Sequence, residues 1–217
     1  MQKIYVVNGL PLSGKTELGK IVGQELRERS INFQHLSSID PVKAFLKPIE
    51  TWDASMTTNW PTIQRIKWMK DSVTGGLDWD GVTKDGFWRK AMSDLKASIN
   101  KEYPLLIDEI VFKRTVSLEK PSVTFVDIRE PSNIAKFIEH ANSFDLHPQT
   151  LLVKSDRSMS YENTSDLSVF DMKYDIVIEN NRNRFQFEET ARLDLQRRAV
   201  NFIEMEIMEK RRTERFY

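Results

Sequence analysis

The chain contains no cysteine, which excludes disulfides and thiolate metal sites. It has no apolar run long enough to span a bilayer. Met1-Gln2-Lys3 leads directly into an apolar segment, which predicts no signal peptide and a soluble, cytoplasmic protein with no membrane partner. Net charge is also missing, because 32 basic and 32 acidic residues cancel. That balance argues against a protein whose main task is to coat nucleic acid, so a polymeric nucleic acid is not an expected partner, while a local basic patch stays open. Internal repeats and low-complexity segments are absent. His35, His140 and His147 do not cluster at metal-ligand spacing, so no zinc site is expected. What remains is 217 residues with a hydrophobic fraction of 40%, enough for one α/β domain over residues 1–217 with a helical insertion.

Five short apolar runs read as strands: Lys3–Asn8, Asn32–Leu36, Ser122–Asp127, Thr150–Lys154 and Tyr174–Ile178. Helical patterns separate them. The first covers about Thr16 to Arg29, with Leu18, Ile21, Val22 and Leu26 on one face. Asp40-Pro41 opens another, with Asp as N-cap and Pro at the first helical position. Further helices are expected over Pro61–Val73, Gly86–Asn100, Tyr103–Leu118, Pro131–Asn142 and about Phe187–Arg212. Alternating strands and helices imply a parallel sheet with helices on both faces. The stretch 40–119 lacks a convincing strand and holds all five tryptophans, Trp52, Trp60, Trp68, Trp79 and Trp88. It reads as a helical insertion able to hold an acceptor substrate. Most of its tryptophans are expected to pack helices, with one free to stack on a base.

Gly9-Leu10-Pro11-Leu12-Ser13-Gly14-Lys15-Thr16 fits G-x-x-x-x-G-K-[ST], the phosphate-binding P-loop, and lies between an apolar strand and a helix as that motif requires. Gly9 and Gly14 allow backbone angles and a close approach that a side chain would block. The N–H groups of Leu12, Ser13 and Gly14, and those of the first helical turn through Glu17, would surround a polyphosphate. Lys15 is expected on the β- and γ-phosphates, and the Thr16 hydroxyl on Mg²⁺. A second acidic element follows. Val123-Thr124-Phe125-Val126-Asp127 is an apolar strand ending in a carboxylate, where an aspartate can hold Mg²⁺ directly or through water. Arg129, two residues on, either grips a phosphate by a two-pronged contact or pairs with Asp127 or Glu130.

Among P-loop proteins several classes drop out. There is no N/T-K-x-D element for guanine and no second long domain for a motor or transporter. Size and the helical segment after the second strand favour a small-molecule kinase. Here the chain resembles the nucleoside monophosphate kinase group of P-loop kinases, and within it the phage-type deoxynucleoside monophosphate kinases. Besides the P-loop, the resemblance rests on His35-Leu36-Ser37-Ser38-Ile39-Asp40-Pro41-Val42-Lys43, on Phe87-Trp88-Arg89-Lys90-Ala91-Met92 and on Phe125 to Asn133. It extends to Val153-Lys154-Ser155-Asp156-Arg157 and Asp175-Ile176-Val177-Ile178-Glu179-Asn180-Asn181.

The resemblance implies a three-layer P-loop sandwich, with a five-stranded parallel sheet in the order 2-3-1-4-5 and a short lid over 155–170. It implies ATP-dependent transfer to a (deoxy)nucleoside monophosphate with Mg²⁺. Ser38, Lys43, Arg89 and Arg129 would hold the acceptor, Arg157 would come from the lid, and Asn180 would lie near the donor adenine. Helix capping and a solvated face are the alternatives for Ser38 and Lys43, and capping is favoured for Asp40. The lid holds a single arginine, and Pro11-Leu12-Ser13 stands where these kinases often carry a basic residue. Other acceptors, a modified base in DNA or a phosphorylated metabolite, stay open, as does an ATP-binding sensor without transfer. In the C-terminal segment, Ile203, Ile207 and Met208 form a seam that either joins two chains as a homodimer or, the favoured reading, packs on its own domain.

Overall fold

The protein is described by a computed structural model over residues 2–10, 12–42, 95–103, 106–120, 122–155, 168–180 and 188–208. It divides into two compact units, Met1–Ser37 with Val111–Tyr217, and Ser38–Ile110.

The first unit is built on β1 (Gln2–Asn8), β2 (Asn32–Ser37), β3 (Ser122–Asp127), β4 (Gln149–Lys154) and β5 (Ile176–Glu179). All pairings are parallel, and the order is β2-β3-β1-β4-β5, as expected. The central strands read as continuous apolar runs because both of their faces are covered. Alternation splits them cleanly. Tyr5, Val7, Val123, Phe125, Leu151 and Val153 face one core, together with residues of α1 (Lys15–Glu28) and α4 (Glu188–Phe202). Ile4, Val6 and Val126 face the other, with Val111 and Phe112 of α2 (Leu106–Val116) and Ile134, Phe137 and Ala141 of α3 (Pro131–Asn142). These are the three layers of the P-loop sandwich.

Phe125 is the hub of the first core. Its ring meets those of Tyr5, Phe33, His35 and Phe202 edge-on, at centroid distances of 5.8, 5.2, 6.0 and 6.0 Å. Helix α1 lies close over β2 because two of its residues have no side chain. A Cβ at Gly19 would strike the His35 ring, and one at Gly23 would come within 2.6 Å of the Phe33 ring.

Several boundaries differ from those read in the sequence. The fifth strand runs Ile176–Glu179 rather than Tyr174–Ile178. Asp175 is taken up beforehand, accepting hydrogen bonds from the Thr150 N–H and hydroxyl at 2.7 and 2.8 Å, and the Tyr174 hydroxyl is engaged elsewhere. Asp40 already belongs to the helical turn it was expected to cap. The helix expected over Tyr103–Leu118 is the shorter α2, Tyr103 instead closing the preceding helical stretch 95–102 through its N–H to the Ile99 carbonyl. Helix α4 ends at Phe202 and passes into a wider turn of π type, Ile203–Met208. Ile203 and Ile207 are fully buried in the first core, with Met208 packed against it, so these residues form internal packing rather than a free seam. Lys3 Nζ donates to the Glu206 carbonyl at 2.6 Å and ties β1 to that turn.

In the second unit Val42 is buried against Ile39, Leu95 and Ile99. The expected helix Pro61–Val73, all five tryptophans, most of the helix 86–100 and most of the lid 155–170 lie outside the described residues.

Candidate phosphate-binding site

β1 delivers the loop to the carboxyl end of the sheet, where ligands bind in open α/β folds. Asn8, the last strand residue, is 1% exposed and makes three hydrogen bonds. Its Oδ1 accepts from the Gly9 N–H at 2.7 Å. Its Nδ2 donates to the Arg129 carbonyl at 3.0 Å and to the Tyr174 hydroxyl at 2.8 Å. Tyr174 in turn donates to the Val169 carbonyl at 2.6 Å. Val169 is buried with Leu10 and Leu152. One amide thus joins the start of the phosphate loop, the loop after β3 and residues 168–174. Burial pushes the Tyr174 phenol up to about 12, its hydrogen bond with Asn8 pulling the other way and Asp171 adding to the rise.

Both motif glycines occupy backbone that L side chains avoid, Gly9 at φ 151° and Gly14 at φ 96°. A Cβ at Gly9 would run into the Val153 carbonyl of β4, and one at Gly14 into the Asn180 amide. Leu12, at φ 61° and 63% exposed, holds a left-handed turn at the loop tip without being glycine. The loop is closed by the Ser13 N–H to the Leu10 carbonyl at 3.2 Å. Helix α1 then opens on Gly14 with no side-chain cap, leaving its first N–H groups to an anion. Lys15 Nζ curls over the loop and donates to the Gly9 carbonyl and, at 3.1 Å, to the Leu10 carbonyl. The Ser13 hydroxyl is buried without a hydrogen-bond partner among the described residues.

Asp127 stands at the tip of β3, in register with Val7 of β1 and Ser37 of β2. Its Oδ1 meets His35 Nε2 at 2.9 Å. Nothing local in the sequence announces this pair, whose members are 92 residues apart. The Thr16 hydroxyl and the Asp127 carboxylate are hard oxygen donors, which is the donor chemistry Mg²⁺ takes. Glu17 is partly exposed and lies 3.5 Å from Arg192 Nε of α4. Arg129 is tied down through its carbonyl by Asn8, as described above. The amide of Asn180 donates to the Ser13 carbonyl at 2.9 Å, and its N–H to the Lys154 carbonyl at 2.6 Å. Asn180 therefore braces the loop from behind.

In the second unit Ser38 is buried, and its hydroxyl receives Lys96 Nζ at 3.3 Å, a lysine the sequence reading did not single out. Lys43, Arg89 and Arg157 lie outside the described residues.

No family model matches the sequence, and no curated protein matches it either. Among solved structures, the chain is similar to the Mycobacterium tuberculosis APS kinase CysC in complex with AMPPNP and APS. Identity is 10% and the TM-score 0.44, over 94% of this chain and 96% of that one. A point mutant of the same enzyme aligns at 12% identity and TM-score 0.38, over 90% and 97%. A likeness this faint bears on neither substrate nor mechanism.

Proposed function

We propose that the protein transfers a phosphoryl group from ATP to a small nucleotide, a (deoxy)nucleoside monophosphate being the favoured acceptor and the diphosphate the product. One observation carries the reading: a glycine loop with two positive-φ glycines opens an uncapped helix at the tip of β1, and Lys15 arches over it. Phosphoryl transfer asks for alignment and charge neutralisation more than for covalent chemistry. In this reading the loop and the first turn of α1 hold the β- and γ-phosphates, and Lys15 follows the charge as it moves. Thr16 and Asp127 would hold magnesium, which would supply charge neutralisation for the transferring phosphoryl group. Arg129, with Arg89 and Arg157 on the strength of the sequence resemblance, would grip the acceptor phosphate and the migrating group. Ser38 and Lys43 would belong to the acceptor side, and closure over 155–170 would exclude water that otherwise hydrolyses ATP.

The test is a panel of ribo- and deoxynucleoside monophosphates with ATP and Mg²⁺, scored for acceptor-dependent ADP. Turnover with one or a few of them is the expected result. Turnover only with DNA, falling steeply with salt, would replace the acceptor assignment. ATP binding with no acceptor-dependent ADP would overturn the enzymatic reading.

A further inference from the structure

His35 has no place in the phosphate loop, yet three separate features seat it. Its ring lies edge-on to Phe125 with centroids 6.0 Å apart. Helix α1 carries glycine at position 19, where any Cβ would strike the ring. Glycine inside a helix costs about 1 kcal/mol relative to alanine, so the vacated position is a local expense with the ring as its evident return. The ring's far side reaches Asp127 Oδ1 through Nε2 at 2.9 Å. Asp127 is partly buried, and the terminal torsion of an aspartate is broad unless a partner holds it.

We propose that His35 is a positioning residue for Asp127. Wedged between Gly19 and Phe125, it fixes the rotation of the carboxylate at the tip of β3 by hydrogen-bonding one of its two oxygens. The proposal rests on the reading of Asp127 as a magnesium-side carboxylate and adds the residue that holds it there. Outer partners of this kind typically contribute about 10–100-fold to metal affinity or activity. The role asks nothing of His35 towards the nucleotide itself.

The experiment measures, by calorimetry on the full-length protein, how many fold Mg²⁺ tightens binding of a non-hydrolysable ATP analogue. Melting temperature serves as the check on folding. His35→Phe keeps a ring against Phe125 and removes the donor. It should cut the Mg²⁺ enhancement about tenfold or more while leaving Mg²⁺-free binding unchanged. His35→Gln, which retains an N–H donor, should restore most of the enhancement. Gly19→Ala leaves the histidine in the chain but displaces its ring, and should behave like His35→Phe. It also keeps the idea testable if His35→Phe does not fold.

Full enhancement in both His35→Phe and Gly19→Ala, with enhancement lost in Asp127→Asn, would overturn the proposal and leave the reading of Asp127 intact. Full enhancement in Asp127→Asn would remove both. Failure of the wild-type protein to bind the analogue at all would instead strike the phosphate-site reading on which everything else stands.

Discussion

Replacing Asn8 with alanine removes three hydrogen bonds at a position that is 1% exposed. The Gly9 N–H and the Arg129 carbonyl lose their partner in this amide, while Tyr174 keeps its own bond to Val169. At a net contribution of about 1 kcal/mol each, the three bonds amount to about 3 kcal/mol. Desolvated groups left without any partner would carry the loss towards about 5 kcal/mol. For a chain of this size each kcal/mol lowers the melting temperature by about 2–4 °C, so Asn8→Ala should melt about 6–12 °C lower. Asn8→Asp should do little better, because it keeps an acceptor for Gly9 but turns a second acceptor on the Arg129 carbonyl. Urea unfolding of the wild type, Asn8→Ala, Tyr174→Phe and the double variant forms a cycle. Asn8 and Tyr174 should couple by about 1 kcal/mol, the range of a shared hydrogen bond. A cost below 1 kcal/mol for Asn8→Ala would refute the reasoning, since water would then be replacing the amide and the junction would bear no load.

Four further outcomes follow from the same geometry. Burial raises the Tyr174 phenol from 10 to about 12 in the folded chain, so its contribution is complete below pH 10 and is lost as pH rises through about 12. Stability measured across that window should fall less steeply in Tyr174→Phe, and Tyr5, which burial pushes up further still, adds slope of the same sign. Lys15→Met should lower kcat about 100–1000-fold in steady-state assays, the scale of one preorganised donor at the reacting charge; near-normal turnover would refute its assignment. Gly9→Ala should destabilise more than Gly14→Ala in thermal melts, because its Cβ meets the fixed Val153 carbonyl whereas the other meets the movable end of Asn180. Leu12→Gly should relieve the left-handed strain at φ 61° and leave the melting temperature unchanged or higher by the equivalent of about 1 kcal/mol.

The parts legible in the sequence are those written in neighbouring residues. The glycine loop, the apolar runs and the Pro131 helix start all depend on spacing within a few positions, and the β3 and α3 boundaries coincide with those read from it. Strand order followed from the motif's place in the chain and the family resemblance. What stayed hidden depends on register between distant strands. His35 reads as one more residue of an edge strand until Ser37 is aligned with Asp127. Asn8 looks like the polar end of a strand, and only the fold brings Arg129 and Tyr174 to its amide. Asn180 stands near the donor base by family resemblance alone, and only the fold brings its amide to the Ser13 carbonyl. Lys96 escaped notice because a lysine in a helical pattern carries no local mark of the hydroxyl it reaches.

Helix α1 sits on β2 like a notched bar on two pegs, the gaps at Gly19 and Gly23 fitting the rings of His35 and Phe33. Shifting the register by a single residue, about 1.5 Å of rise with about 100° of rotation, would carry side-chain-bearing neighbours onto both pegs. A one-residue slip of this helix is therefore blocked. The loop thus meets what it grips from a helix whose register on the sheet is pinned at two points.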